Sequence, residues 1–378
     1  MKFDQRSWSR NDKWSSAPAA LRADLVFVFG DTGLLKDRDL MGELSGHYPG
    51  AFLFGCSTAG EILGERVSDE TLAVTAIRFE RSSIRTAAVE ITPDCYDAGK
   101  RLAASLPHEG LRHVFVLSVG LGVNGSDLVK GLSDGLPTGV SITGGLAGDQ
   151  DRFRETVVVA GSLVSSSLVA AVGLYGPHLR IGAASLGGWD PFGPERRVTK
   201  SKGNVLYELD GKSALELYKT YLGDHAKNLP GSALLFPLCL RFGQTDTGIV
   251  RTILGVDEKD QSMTFAGDVP EGSYGRFMKA NFDRLIEGAL GAAKTSSASI
   301  RDAGTEFALL ISCVGRKLVL GQRTEEETEG VRAVLGNQAV MTGFYSYGEI
   351  SPFTPGARCE LHNQTMTVTT LSESDEGR

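Results

Sequence analysis

The chain has 378 residues, and its 41% hydrophobic and 22% charged residues are typical of a folded globular protein, so extensive disorder is excluded. The formal net charge of −7 argues against nucleic acid and against an anionic membrane surface as partners. Glycine is abundant, with 47 residues, but it follows no period of three, which excludes collagen and indicates many tight turns.

The five cysteines predict reduced thiols and a cytoplasmic location, because their number is odd, their spacing is wide and no Cys-x-x-Cys occurs. The first 23 residues lack the apolar core of a signal peptide. Residues 156–179 carry no ionised side chain, but three serines interrupt the stretch, so we interpret it as two strands and a turn rather than a transmembrane helix.

Three segments share one layout, and they span residues 25–79, 114–174 and 307–371. Each begins with an apolar strand, continues through a helical pattern and a second strand, and reaches a turn that ends in glycine and an acid. Each segment then closes with one or two further strands. The acids are Glu61, Asp149 and Glu349. Such acids either cap the turn or contact a ligand, and the sequence leaves both interpretations open.

Other elements lie between these copies. Strands are predicted over residues 84–91, 180–186, 198–208, 250–256 and 263–266, and helices over 94–106, 213–222 and 274–293. This order lacks the strict alternation of a Rossmann sheet, so we predict an α+β fold: two related domains of mixed sheets covered by helices, with internal strand–helix–strand repeats.

The expected division of the chain is a flexible segment over 1–24, domains over 25–228 and 229–371, and a loose acidic tail over 372–378. The boundary is placed near Pro230, where Asn228-Leu-Pro-Gly231 signals a turn.

Residues 120–125 match the pattern G-x-G-x-x-G between a strand and a helix, as a dinucleotide site would. The next strand, however, ends Ile142-Thr-Gly-Gly145 without the acid that binds a ribose, which argues against NAD. The free N–H groups at the start of the helix remain able to bind a carboxylate, and Ser126 is predicted to be its N-cap.

The turn after the second strand of the first copy resembles a nucleophile elbow, although its spacing is G-x-S-x-x-G rather than G-x-S-x-G. Catalysis by Cys56 or Ser57 is therefore the weaker interpretation. A compact turn whose backbone approaches a ligand is favoured. The candidate ligand-binding residues in this turn are Gly55, Cys56, Ser57, Thr58 and Glu61.

Cys359 and His362 have the spacing of half a metal site, but no matching second pair occurs, which argues against structural zinc. His362, next to Asn363, is left with three roles: a structural histidine, a contact to an organic ligand, or an axial haem ligand. His178 is a second haem candidate. The turn-rich loop 187–194, with Trp189, either closes over a pocket or packs down as a plug.

The third turn differs from the others because it carries Tyr345 and Tyr347 beside Glu349. Aromatic rings with a carboxylate form a suitable wall for an ammonium-bearing ligand. The second turn, residues 144–149, has no aromatic residue and is predicted to be structural.

Four segments in order resemble the FIST family: residues 55–62, 198–218, 345–352 and 361–367. The resemblance covers roughly residues 25–371. It implies a sensory input module that binds a small ligand such as an amino acid. It also implies a second possibility, because some stand-alone bacterial members are described as haem-binding nitric-oxide sensors that regulate a histidine kinase.

We therefore expect a soluble, non-enzymatic sensor that binds an amino-acid-like ligand and passes the signal to a separate partner, with a histidine kinase as one candidate. We expect no F-box, kinase or membrane anchor in the chain. The alternatives are a haem-binding nitric-oxide sensor, an enzyme that uses Cys56 or Ser57, and a protein-interaction scaffold.

Overall fold

The computed structural model describes residues 1–378 except 230, 244–247, 301–303, 353–355 and 375–378. Strands and helices are numbered here in chain order. Three mixed sheets surround one shared core, and a fourth sheet forms a subdomain inserted between the second and third copies. The predicted α+β class with mixed sheets and covering helices is confirmed.

The first sheet has seven strands in the order β12-β11-β4-β3-β7-β1-β2. They are β1 (Lys2–Ser9), β2 (Lys13–Trp14), β3 (Leu25–Gly30), β4 (Phe52–Ser57), β7 (Leu72–Arg78), β11 (Val158–Ala160) and β12 (Leu163–Ser165).

The second sheet has six strands in the order β27-β26-β10-β9-β13-β8. They are β8 (Ser83–Glu90), β9 (Leu111–Ser118), β10 (Ser141–Leu146), β13 (Leu168–Tyr175), β26 (Gly348–Pro352) and β27 (Cys359–His362).

The third sheet repeats this plan in the order β14-β28-β24-β25-β5-β6. Its strands are β5 (Glu61–Leu63), β6 (Arg66–Ser68), β14 (Leu179–Leu186), β24 (Phe307–Cys313), β25 (Val340–Ser346) and β28 (Met366–Glu373).

The three copies exchange hairpins in a closed cycle. The hairpin β5–β6 of the first copy pairs with β25 of the third, β11–β12 of the second pairs with β4 of the first, and β26–β27 of the third pairs with β10 of the second. No copy therefore completes its own sheet, and the three copies form one interlocked unit.

The inserted subdomain covers residues 190–279. Its sheet contains β15 (Asp190–Pro191), β16 (Arg196–Lys202), β17 (Val205–Leu209), β18 (Lys212–Ser213), β19 (Leu238–Arg241), β20 (Ile249–Arg251), β21 (Ile253–Asp257), β22 (Ser262–Phe265) and β23 (Tyr274–Lys279). The expected boundary at 228/229 falls inside this subdomain, and Pro230 itself lies outside the described residues.

Helices cover the outer faces of the sheets. They are α1 (Thr32–Leu35), α2 (Arg38–His47), α3 (Cys95–Ala104), α4 (Gly125–Gly135), α5 (Ala214–Leu222), α6 (Phe282–Ile300), α7 (Val314–Leu320) and α8 (Glu325–Leu335). Short 3-10 turns occupy Gly223–Asn228, Gly231–Leu235 and Gly321–Arg323. No helix in the described part of the chain has the length and apolar character needed to cross a bilayer.

Side chains from the first strand of every copy meet in the shared core. The ring of Phe27 on β3 stacks on Phe307 of β24 with centroids 5.6 Å apart, and it meets the edge of Phe115 on β9 at 5.7 Å. The centre between the three sheets is thus filled by aromatic and aliphatic side chains. Burial of this apolar surface stabilises the three copies together rather than one at a time.

Three equivalent glycines let the paired parallel strands approach. A Cβ atom at Gly55 would lie 1.7 Å from the carbonyl oxygen of Val28, and Cβ atoms at Gly144 and Gly343 would each lie 1.8 Å from the corresponding carbonyl of their partner strand. Gly55 is therefore needed for strand packing at this position, whether or not a ligand is present.

Both chain ends differ from the expectation of loose segments. β1 pairs with β7 from Lys2↔Arg78 to Trp8↔Leu72, and this long antiparallel pairing orders residues expected to be flexible. At the other end, Ser372 and Glu373 belong to β28. The carboxylate of Glu373 accepts hydrogen bonds from the backbone of Glu80 and Arg81, which holds the start of the acidic tail against the sheet.

Two local predictions were also wrong. Residues 274–279 form the strand β23 instead of the start of a helix, because they pair with β19 and β16, and the helix begins only at Phe282. The N-cap of α4 is Asn124 rather than Ser126, since the Asn124 side chain accepts hydrogen bonds from the backbone N–H groups of Ser126 and Asp127.

Candidate functional site

The turn acid of the first copy is held inside the protein by hydrogen bonds. The Thr58 hydroxyl donates to Glu61 Oε1 at 2.5 Å. The backbone N–H and the hydroxyl of Thr71 both donate to Oε2, at 3.1 Å and 2.7 Å. Thr71 lies just before the closing strand β7. Glu61 therefore ties the turn to the start of that strand.

The third copy repeats this arrangement. The Ser346 hydroxyl donates to Glu349 Oε1 at 2.6 Å, and Thr365 donates to Oε2 from its backbone N–H at 3.3 Å and from its hydroxyl at 3.0 Å. The second copy uses backbone donors instead, because Asp149 Oδ2 accepts from the N–H groups of Arg154 and Glu155 at 2.8 Å and 3.0 Å. All three acids thus act as structural ties.

Burial changes the ionisation of the two glutamates. It raises the pKa of Glu61 to about 7 and that of Glu349 to about 8. A carboxyl group that is mostly protonated at neutral pH is a poor counter-ion for an ammonium group. The third turn was expected to bind an ammonium-bearing ligand, but its carboxyl group, that of Glu349, is therefore largely neutral.

The aromatic residues of the third turn are engaged inside the protein. Tyr345 is fully buried, and its hydroxyl donates to the Glu327 carboxylate at 3.1 Å. The Tyr347 hydroxyl donates to the carboxylate of Asp149. The second turn, which has no aromatic residue of its own, thus receives one from the third copy.

The candidate nucleophiles lie in the same interior. The side chain of Cys56 belongs to the shared core, and burial raises the pKa of its thiol. The Ser57 hydroxyl accepts a hydrogen bond from the backbone N–H of Val157 at 2.9 Å. Both side chains are therefore enclosed, and the Cys56 thiol is protonated at neutral pH.

Every residue chosen from the sequence as a ligand contact is buried. They are Gly55, Cys56, Ser57, Thr58, Glu61, Trp189, Tyr345, Tyr347, Glu349, His362 and Asn363. They do not form one group. The residues before Glu61 pack in the first turn, whereas Trp189 joins the segment around His362 and Asn363 in the third copy.

His362 is enclosed by the protein. The residue is 1% exposed, which leaves no face of its ring open to a porphyrin, and its Nε2 donates to the Ser351 carbonyl oxygen at 2.8 Å. Burial lowers the pKa of His362 to about 4, so its ring is neutral. His178 lies far along the chain, with Nδ1 3.2 Å from the Ser374 carbonyl oxygen. Within the described residues, no group of three or more His, Cys, Asp or Glu could hold a metal ion.

Two carboxamides beside His362 are the unusual feature of this region. Asn363 is 1% exposed and Gln364 is fully buried. Neither the oxygen nor the nitrogen of either side-chain amide has a hydrogen-bond partner among the described residues. Buried polar atoms are almost always paired, and each orphaned group costs about 1–3 kcal/mol. The amides therefore mark a place where a further polar molecule is expected.

The surroundings of Gln364 come from the third copy and the loop before the inserted subdomain. Its amide lies against Gly315 at the start of α7, where a Cβ atom would come within 2.5 Å of Gln364 Nε2. The indole Nε1 of Trp189 donates to the Gln364 backbone oxygen at 2.8 Å. The loop 187–194 thus packs down over this segment.

The inserted subdomain reaches the same segment through Arg251. This side chain is 3% exposed, and its Nη1 donates to the Leu361 backbone oxygen at 2.8 Å. The adjacent Thr252 has a buried hydroxyl without a partner among the described residues. The subdomain therefore meets the third copy at Leu361, two residues before the first of the two carboxamides. We call this region, defined by Trp189, Arg251, Thr252, Asn363 and Gln364, the junction site.

Sequence reasoning identified Trp189 and Asn363 but missed Gln364, Arg251 and Thr252. Gln364 stands in the polar run 362–365, whose burial without partners is costly, and that signal was sufficient to find it. Arg251 and Thr252 carried no such signal, because their position against Leu361 depends on the docking of a separate sheet.

Two family models together match most of the chain. Residues 24–212 match the FIST N domain and residues 214–352 match the FIST C domain. The chain therefore belongs to the FIST family, whose domains are associated with sensory signal transduction.

A curated relative is the uncharacterized protein MJ1623 of Methanocaldococcus jannaschii, which is 23% identical over 337 residues. The match covers 82% of this chain and 64% of the relative, so the chain spans less than two thirds of that protein. Among solved structures, a cyanuric acid hydrolase from A. caulinodans covers 99% of both chains with a TM-score of 0.36 and 10% identity. A second cyanuric acid hydrolase structure gives 0.31 and 9%, over 98% of this chain and 99% of that chain.

Proposed function

We propose that this protein is a sensory input protein, not an enzyme, and that it binds a small, amino-acid-like ligand at the junction site. The observation that carries the proposal is the pair of buried carboxamides, Asn363 and Gln364, whose polar atoms have no partner within the described residues. A ligand that satisfied them would gain hydrogen bonds that the unliganded protein lacks.

The position of the site supports a signalling role. Arg251 belongs to the inserted subdomain, whereas Asn363 and Gln364 belong to the third copy. A ligand in contact with both parts has different contacts when the subdomain is docked and when it is displaced, so its binding biases that equilibrium. A separate protein then responds to the position of the subdomain, and a histidine kinase is our candidate for that protein.

The chemistry of the interior supports binding rather than catalysis. The two candidate nucleophiles, Cys56 and Ser57, are enclosed in the shared core and in a strand contact. The five free cysteines are consistent with the cytoplasm as the compartment we propose. A haem-based nitric-oxide sensor is not favoured, because His362 is 1% exposed and no face of its ring is open to a porphyrin.

Thermal unfolding in the presence of individual amino acids tests the proposal. A compound that binds only the folded protein raises the melting temperature with its concentration. We expect at least one amino acid to do so, and we expect the double variant Asn363→Leu/Gln364→Met to lose the effect. The matched control is Glu70→Gln, which changes the corresponding residue of the first copy and is expected to leave it intact. Binding that persists in the double variant would place the ligand elsewhere.

A further inference from the structure

The two carboxamides of the junction site have counterparts in the other two copies, and each of those pairs includes a charged residue. Glu70, Phe153 and Gln364 have the same left-handed backbone, with φ of 57°, 49° and 63°, and each directly precedes the residue whose N–H binds the turn acid. The residue before each of them is Asp69, Arg152 and Asn363 in turn.

Ion pairs occupy this position in the first two copies. Asp69 pairs with Lys317 on α7, the helix of the third copy. Arg152 pairs with Asp31 of the first copy, with Nη2 and Oδ2 2.7 Å apart. Each pair thus joins the segment before a closing strand to the loop or helix that directly follows the first strand of the preceding copy in the cycle.

The third copy replaces this ion pair with uncharged groups. The preceding copy in the cycle is the second, and its corresponding loop is Gly120-Leu-Gly-Val-Asn-Gly125, which has no ionised side chain. This loop does border the third turn, because a Cβ atom at Gly120 would lie 3.0 Å from Tyr347 and one at Gly125 would lie 3.0 Å from Leu361. Asn363 therefore has neither a charge nor a charged counterpart in that loop.

The remaining groups restrict the chemistry of a ligand. A carboxamide presents one N–H donor group and one oxygen acceptor side by side in one plane, and it pairs best with a group that offers the same two functions in reverse. The nearby buried ion pair is already complete, since Arg316 donates to Glu327 and to the carbonyl oxygens of Gly187 and Leu285. The guanidinium of Arg251 is engaged as well, because it donates to two backbone carbonyl oxygens and interacts with the carboxylates of Glu360 and Asp268. A charged ligand buried here would therefore lose its hydration without a free counter-ion.

We propose, building on the function proposed above, that the junction site recognises an uncharged planar amide edge: adjacent N–H and C=O groups that pair with the carboxamides of Asn363 and Gln364. Two sources carry this chemistry. One is the side-chain amide of glutamine or asparagine, and the other is the lactam edge of a nucleobase such as uracil or hypoxanthine.

Matched ligand pairs test this directly by calorimetry and thermal shift on the full chain at millimolar concentration. Glutamine and asparagine are compared with glutamate and aspartate, which have nearly the same shape but a charged carboxylate. Uracil and hypoxanthine form the second arm. We expect one arm to bind and the acidic amino acids to bind at least tenfold more weakly, and the arm that binds identifies the source of the amide edge.

The variant Gln364→Met separates a binding role from a structural one. If a ligand satisfies this amide, the unliganded variant keeps or exceeds the wild-type melting temperature, because an orphaned polar group has been removed, while affinity falls tenfold or more. Glu70→Gln in the first copy is the matched control, with both quantities unchanged.

The outcomes distinguish the two proposals. If glutamate, aspartate or another charged compound binds as tightly as the amides and Gln364→Met abolishes that binding, the amide-edge inference is overturned while the sensory site stands. If no compound of either arm binds, the inference is overturned. If, in addition, Gln364→Met lowers the melting temperature, the amides are structural and the proposed function falls with it.

Discussion

The hydroxyl of Tyr347, in the third turn, donates a hydrogen bond to the carboxylate of Asp149, in the second turn. The two residues are 198 positions apart in the chain. Phe153 stacks on the Tyr347 ring with centroids 4.5 Å apart, so the contact is covered from one side. The hairpin exchange makes this possible, because β26 of the third copy pairs with β10 of the second.

Replacing Tyr347 with phenylalanine tests how much this contact stabilises the interlocked copies. Asp149 keeps its two backbone donors, so we expect a loss of about 1–3 kcal/mol in the free energy of unfolding, the usual cost for a buried hydrogen bond to a charged group. Chemical denaturation measures it. Tyr274→Phe, on an exposed side chain, serves as the control and is expected to change stability by less than about 0.5 kcal/mol. Equal effects in the two variants would contradict a structural role for the contact.

The raised pKa of Glu349 predicts a specific pH dependence. Its pKa rises from 4.5 to about 8 in the folded protein, so between these values the folded state binds more protons than the unfolded chain. The contribution of Glu349 to stability therefore falls as the pH rises through this window. We expect Glu349→Gln to flatten the slope, because the amide stays neutral throughout. Denaturation curves at several pH values across the window provide the measurement.

Glu287→Gln is the control for this experiment, because Glu287 lies exposed on α6 and its change should leave the slope intact. A slope that is the same in the wild-type protein and in Glu349→Gln would show that Glu349 is ionised in the folded state. Glu61, whose pKa is raised to about 7, contributes to the same trend over a narrower range.

The equivalent glycines of the paired strands predict a severe effect of one methyl group. In Gly343→Ala the new Cβ atom would lie 1.8 Å from the Leu310 carbonyl oxygen, and neither backbone can move freely inside a sheet. We expect either no folded protein or a loss of at least about 4 kcal/mol. Gly42→Ala is the contrasting variant, because nothing lies within 4 Å of that helical position, and it should stabilise α2 by about 1 kcal/mol. A mild effect of Gly343→Ala would argue against this strand register.

The burial of the thiols predicts low chemical reactivity in the native protein. Cys56, Cys95, Cys313 and Cys359 are buried, and Cys239 is partly exposed. A thiol reagent should therefore label Cys239 first and the other four only after unfolding. Mass spectrometry of the labelled peptides identifies the sites. Rapid labelling of Cys56 in the folded protein would instead support its role as a nucleophile.

Much of the local structure was predictable, because it depends on neighbouring residues. The helix predicted over 94–106 is α3, with Asp94 as its N-cap, and the helix over 213–222 is α5, with Ser213 as its N-cap. In both, the side chain that precedes the helix accepts a hydrogen bond from a free N–H group of the first turn. The three strand–helix–strand copies were visible for the same reason, since hydrophobic periodicity is a local property.

The candidate site was predictable only in part. The polar run 362–365, whose burial without partners is costly, includes both carboxamides of the junction site, but only His362 and Asn363 were chosen from it as ligand contacts. The hypothesis that the third turn binds an ammonium-bearing ligand relied on residue types alone. Those types do not show that Tyr345 faces Glu327, or that burial raises the pKa of Glu349.

Local sequence was thus sufficient for the elements, their caps and the threefold repetition of the chain. The tertiary structure alone decided which strands pair, because the partners of β5, β11 and β26 lie in other copies and no local pattern specifies such distant contacts. It also decided the role of the turn acids and of Arg251. Burial and hydrogen bonding at these residues follow from the docking of separate sheets, and only the packed core determines how those sheets dock.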